Sequence, residues 1–208
     1  MDINKLLACA GQNIADGLKL VDPKQIEAIA DALAKAKRVY TAGWGRAGNV
    51  IRILGMDMSQ LGKTVYCVGD NSTPSIHEGD LLVVGSGSGN TKTIAIIAQE
   101  AKDYGATVAM ISGAAPEDSV IGKIADINVT VPRIKTNPFR KAVKSKNKGL
   151  GERVDFGLSA EEREQMAYDQ VTGYYETAFA LNEVIKQLVM SKIGGKVEDI
   201  LYYHNNLE

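Results

Sequence analysis

The chain has 208 residues, 45% of them hydrophobic, and sets 24 Lys and Arg against 25 Asp and Glu. That length and apolar content suit one large domain with a packed core, and a net charge of −1 excludes a general attraction to nucleic acid or to membrane surfaces. The two cysteines, Cys9 and Cys67, lack CxxC spacing and clustered histidines, so they read as small buried hydrophobes of a reducing compartment in preference to a disulfide.

The opening MDINKLLACAGQNIADGL has acids on both sides of a short apolar run, which is not the pattern of a signal peptide. No run of about 18 apolar residues offers a membrane span. The expected location is the cytoplasm, where the sequons at Asn71 and Asn128 carry no meaning. Two helices are predicted before the first strand, at about 3–18 and 23–36. Five short runs rich in Val and Ile then read as strands, at 38–42, 64–68, 80–85, 106–111 and 126–131. They do not alternate cleanly, which suits strands covered on both faces.

Helical patterns lie between these runs. Residues 46–60 space Ile51, Leu54 and Met58, then Leu61, along one face. Residues 91–103 do the same with Ile94, Ile97, Ala98 and Ala101 until Gly105, and a shorter helix covers 117–124. This β-α-β rhythm predicts an α/β fold: a three-layer αβα sandwich around a five-stranded parallel sheet with right-handed crossovers.

The stretch 133–153 holds eight Lys and Arg and one acid, and reads as a solvated basic insertion reaching to about 165. As a nucleic-acid patch it lacks interleaved aromatics. A long helix follows at about 160–192 with Ala178, Leu181, Ile185 and Leu188 on a stripe, and a turn or short helix ends the chain at ValGluAspIleLeuTyrTyr. We read residues 1–208 as one domain. So many helices around one sheet predict a symmetric partner, in a homodimer or homotetramer.

Two glycine-rich loops follow predicted strands. Gly43-Trp44-Gly45-Arg46-Ala47-Gly48 satisfies G-x-G-x-x-G, with Asp70 about 20 residues on, where a dinucleotide site would place its ribose acid. Against that reading, the pattern follows two helices, encloses a cation and leaves the second loop unexplained. That loop, Ser86-Gly87-Ser88-Gly89-Asn90-Thr91, has what a phosphate needs: glycines that turn N–H groups inward, a helix N-terminus, and three hydroxyls. The alternative is an ordinary Gly/Ser turn with an Asn or Thr cap. Gly62-Lys63-Thr64 resembles the tail of a P-loop, but Asp57 stands where the first glycine is required.

Read together, Gly43–Ala47, Asp70–Pro74 and Ser86–Thr91 resemble the SIS (sugar isomerase) domain, whose sheet is flavodoxin- or Rossmann-like. Gly173-Tyr174-Tyr175-Glu176 and the ending Tyr203-His204-Asn205-Asn206-Leu207-Glu208 are similar to its 6-phospho-3-hexuloisomerase branch. The resemblance covers nearly the whole chain. It departs at Ala47, where the family usually has Ser, at Tyr175 in place of Phe, and in the length of the basic insertion.

The resemblance implies interconversion of 3-hexulose 6-phosphate and fructose 6-phosphate through a cis-enediolate, in the ribulose monophosphate pathway, with no metal or other cofactor. It implies Glu176 as the carbon base and His204 as the proton shuttle between oxygens or the ring-opening group. Arg46 would stabilise the developing oxyanion. Gly45, Ser72, Thr73, Ser86, Gly87, Ser88 and Thr91 would hold the phosphate and sugar.

Each has a plainer reading. Glu176 could simply favour a helix N-terminus, and His204 could be a solvated terminal residue. Arg46 is a poor choice at a helix start unless its charge is used. A turn before Pro74 explains Ser72 and Thr73 equally well. His77 is an exposed loop residue or a second active-site group reaching across a dimer. Alternatives to the hexuloisomerase are an SIS isomerase of arabinose 5-phosphate or sedoheptulose 7-phosphate, and a non-catalytic module that binds a sugar phosphate. A phosphate-binding module needs neither Glu176 nor His204.

Overall fold

The computed structural model describes residues 1–133 and 156–207, so most of the basic stretch lies outside the described residues. Helices α1 (Ile3–Lys19) and α2 (Pro23–Lys35) come first, each started by an aspartate. Asp2 accepts from the N–H of Asn4, and Asp22 accepts from that of Lys24. These side chains satisfy donors that the first turn leaves without helical partners.

Five strands follow: β1 (Val39–Gly43), β2 (Val65–Cys67), β3 (Leu81–Ser86), β4 (Thr107–Ser112) and β5 (Ile127–Thr130). All pair in parallel in the order β2-β1-β3-β4-β5. Between them run α3 (Gly45–Gln60), α4 (Lys92–Asp103), a 3-10 turn (Pro116–Asp118) and α5 (Val120–Ile124). The predicted α/β sandwich is therefore observed.

The strands fail to alternate because successive side chains enter two different cores. Leu81, Val83, Ala109 and Ile111 face α2, α3 and the long C-terminal helix, while Leu82, Val84, Val108 and Met110 face α4 and α5.

The structure corrects the long helix expected at about 160–192. It is two helices, α6 (Ala160–Gln170) and α7 (Tyr174–Lys192), separated at Val171–Gly173. Ser159 and Glu162 cap each other at the start of α6, so helix already occupies 160–165, the last part of the expected insertion. Thr172 donates to the carbonyl of Ala10 on α1 at 2.9 Å, which fixes the break. Helix α7 buries Ala178, Leu181, Ile185 and Val189, with Leu188 only partly covered. The last helix is α8 (Val197–Tyr202). Among the described residues no helix is long and apolar enough to cross a membrane.

The P-loop-like residues serve packing. Asp57 is buried in α3 with a carboxylate oxygen 3.7 Å from the Lys186 ammonium, and burial pushes its carboxyl up despite that partner. Lys63 donates to the carbonyls of Ala34 and Ala36 at 2.8 and 2.9 Å, closing the end of α2.

Candidate active site

In a parallel sheet of this order the crossovers from β1 and β3 leave in opposite directions, opening a crevice at the strands' carboxyl ends. Both glycine loops border it. The first turns from β1 into α3 with almost no spacing, since a Cβ on Gly48 would lie 2.3 Å from the carbonyl oxygen of Gly43. Ala47 is only 6% exposed and packs in the core. The exchange of the family's serine therefore removes nothing from the open side of the loop. Arg46, next to it, is exposed.

The Arg46 guanidinium stacks on the Tyr175 ring, 4.1 Å from its centroid, and its Nη1 lies 3.9 Å from Glu176 Oε1. The structure thus brings Arg46 and Glu176 together from distant parts of the chain. Glu176 sits in the first turn of α7, and its Oε2 accepts the Gly173 N–H at 2.8 Å. The plainer reading of Glu176, a carboxylate at a helix start, is met. One oxygen caps the helix, and the other faces a cation in a half-exposed position.

The second loop leaves β3 at buried Ser86, whose Oγ lies 3.0 Å from Thr91 Oγ1. Gly89 turns the chain with φ +63°, and a Cβ there would collide with Ser119 at 2.3 Å. Asn90 clamps the loop to its neighbour: it donates to the Ser88 carbonyl at 2.8 Å and accepts the Val120 N–H at 3.0 Å. No side chain caps α4, so its first N–H groups stay directed at the loop. Trp44 joins the two loops, its Nε1 donating to Thr93 Oγ1 in the first turn of α4 at 2.9 Å. Gly45, Gly87 and Ser88 complete this rim.

Thr73 lies beyond β2 on the same side, but its hydroxyl donates to the Cys67 carbonyl at 2.6 Å and so stabilises its own loop. Ser72 is exposed beside it. Asp70 sits 3.9 Å from Arg52 on α3.

The two histidines lie elsewhere. Tyr203 packs on Gly62, where a Cβ would come within 2.9 Å of its ring, so His204 sits past the far end of α3. Helix α3 runs on from Arg46 to Gln60, a rise of about 21 Å at roughly 1.5 Å per residue. Within one chain the structure therefore does not bring His204 to Glu176. His77 is at the strands' amino ends, its Nε2 2.8 Å from Ser75 Oγ and its N–H given to Asp80. There it borders an apolar cavity of ≈ 400 Å³ lined by Tyr40, Ile76, Leu82 and Tyr104. Burial alone would raise the Asp80 carboxyl, but the Arg38 side chain and the His77 N–H hold it below the usual carboxylate range.

A family model described as the SIS domain matches residues 32–139, a span that takes in β1 and both loops. The chain belongs to the SIS domain family. It is 38% identical over 131 residues to the 3-hexulose-6-phosphate isomerase of Mycobacterium gastri, covering 63% of this chain and 65% of the relative. It is 35% identical over 112 residues to that of Bacillus subtilis, covering 54% and 60%. The matches span less than two thirds of either relative. Among solved structures, a hypothetical protein of Methanococcus jannaschii whose structure infers a function of 3-hexulose-6-phosphate isomerase superposes with a TM-score of 0.68 at 20% identity, over 95% of this chain and 98% of that one. That likeness shows the fold.

Three residues at this crevice had no reading of their own in the sequence. Trp44 is an unassigned position inside a glycine pattern and Tyr175 only a departure from Phe, yet Trp44 ties the first loop to α4 and Tyr175 stacks on Arg46. Arg133 was absorbed into the basic stretch, although it follows the last strand directly and so had to emerge at the same edge of the sheet. Among the described residues no three His, Cys, Asp or Glu side chains cluster as a metal would require.

Proposed function

We propose that this protein is a phosphosugar isomerase that interconverts 3-hexulose 6-phosphate and fructose 6-phosphate. The observation that carries the reading is the Arg46–Glu176 pair, 3.9 Å apart at the crevice that the Ser86–Thr91 loop also borders. The Ser86, Ser88 and Thr91 hydroxyls and the N-terminus of α4 hold the phosphate dianion, and Gly45 lets the sugar approach the first loop. Ser72 and Thr73 form the outer wall. Glu176 Oε1 removes the proton on C2 of the 3-hexulose, giving a 2,3-enediolate, and returns a proton to C3 to yield fructose 6-phosphate. Arg46 stabilises the negative charge that develops on the substrate oxygen. The Mycobacterium gastri and Bacillus subtilis relatives support the choice of this reaction within the family.

The proton transfer between the two oxygens falls to His204 of a second copy, because its own chain holds it past the far end of α3, about 21 Å along that helix from Arg46. In this reading the working unit is a cytoplasmic homodimer or homotetramer with shared sites. Mixing Glu176→Gln with His204→Ala, each inactive alone, then restores activity through hybrid sites that keep one intact copy of each group. No recovery on mixing, with both variants assembled, removes His204 from the partner's site.

The reading as a whole is tested with purified protein on a panel of sugar phosphates. Turnover of 3-hexulose 6-phosphate well above that of arabinose 5-phosphate and sedoheptulose 7-phosphate supports it. Preference for one of the other two moves the reaction within the family, and binding without any turnover makes the chain a sugar-phosphate sensor.

A further inference from the structure

Arg133 emerges just past β5, where the Val131 N–H donates to the Ser112 carbonyl at 2.7 Å and anchors the backbone. Its guanidinium turns back over the crevice, and Nη2 donates to the carbonyl of Gly87 at 3.0 Å. The guanidinium carbon lies 5.7 Å from the centroid of the Tyr174 ring. That ring is itself fixed: Tyr174 is buried, and its hydroxyl donates to the Ile111 carbonyl at 2.7 Å. Burial pushes the phenol up, so it remains a donor across the ordinary pH range.

Two glycines make room for this arrangement. A Cβ on Gly87 would lie 2.9 Å from Arg133 Nη2, and one on Gly113 would lie 3.0 Å from Arg133 Nε and 3.1 Å from the Gly87 oxygen. A side chain at either position would crowd the guanidinium.

We propose that Arg133 is a positioning residue of the phosphate loop. The Gly87 carbonyl and the Ser88 N–H belong to one planar peptide and point in opposite directions. Gly87 has no side chain to bias its backbone, so this peptide would rotate easily if left alone. The bond from Arg133 holds the carbonyl on one side and thereby holds the Ser88 N–H on the other, as a donor set in place before the anion arrives. Preorganised donors of this kind stabilise charge without reorganising when the ligand binds. The role rests on the reading of Ser86–Thr91 as the phosphate site, and it assigns Arg133 to binding, with no part in proton transfer.

Two variants and two readouts test it. Binding of inorganic phosphate is measured by phosphorus NMR titration, and KM and kcat are measured with the sugar phosphate. Arg133→Met weakens phosphate binding about tenfold, the order expected for a lost hydrogen bond from a charged group, and raises KM correspondingly while kcat stays within about twofold. Gly113→Ala leaves every charge in place and displaces the guanidinium, and it weakens phosphate binding by about threefold or more. Phosphate affinity within about twofold of the parent in Arg133→Met overturns the proposal. So does an unchanged Gly113→Ala, which would leave Arg133 only a charge effect, and this second variant decides the matter if Arg133→Met does not fold. A parent protein that binds no phosphate at all overturns the loop reading itself.

Discussion

Glu176→Gln is expected to lower kcat by about 10²–10⁴-fold, the usual contribution of a positioned acid–base group, while KM changes little. The side chain has two separable duties. Its Oε2 accepts the Gly173 N–H that starts α7, and its Oε1 faces Arg46. Glutamine keeps an oxygen for the cap and turns its amide nitrogen toward the crevice, so the helix start survives and the base is lost. Stability should stay within about 0.5 kcal/mol of the parent, as for a surface change that spares a cap. Glu176→Ala also loses the cap and costs about 1 kcal/mol more. Comparing the two by urea unfolding and by turnover separates the structural duty from the chemical one. A glutamine variant with kcat within about threefold of the parent shows that Glu176 is not the base.

Gly48→Ala carries the largest expected cost to stability, about 3 kcal/mol, at the upper end for overpacking a core. The added Cβ would sit 2.3 Å from the Gly43 oxygen and 2.5 Å from its carbonyl carbon. Both are backbone atoms at the end of β1, held in register with Gly85 of β3, so the conflict cannot be relieved by rotating a side chain. Urea unfolding measures the loss, and a cost below about 1 kcal/mol would show that α3 is free to shift off the strand. The same geometry explains the opening glycine pattern. Spacing that matches a dinucleotide fingerprint arises here from the need to pack α3 against β1, and the residue within it that meets Glu176 is Arg46.

How much of this was legible in the sequence differs from element to element. Strands such as Leu81–Val84 announced themselves because both their faces are buried, so every position had to be apolar. The break between α6 and α7 was not visible, because Thr172 finds its partner Ala10 near the other end of the chain. The turn at Ser86–Thr91 could be read from its own six residues, since its glycines and hydroxyls act locally. The Arg46–Glu176 pair could not. Sequence spacing carries no information about which helix starts share an edge of the sheet, and only the family resemblance suggested both residues. His204 shows the converse: resemblance named it, and the path of α3 places it at the wrong end of its own chain. Arg133 was concealed by its neighbours, where a run of like charges drew attention to solvation and away from one side chain folded inward. Residues 134–155, on which the expected basic insertion rests, lie outside the described residues.

The most direct test of the central claim follows hydrogen at single carbons of the sugar. Fructose 6-phosphate incubated with the protein in deuterium oxide is expected to lose its C3 proton signal, as Glu176 removes that proton to form the 2,3-enediolate and exchanges it with solvent, while 3-hexulose 6-phosphate appears. Exchange confined to C1, or no exchange and no new ketose from a protein that binds the sugar phosphate, would contradict the account.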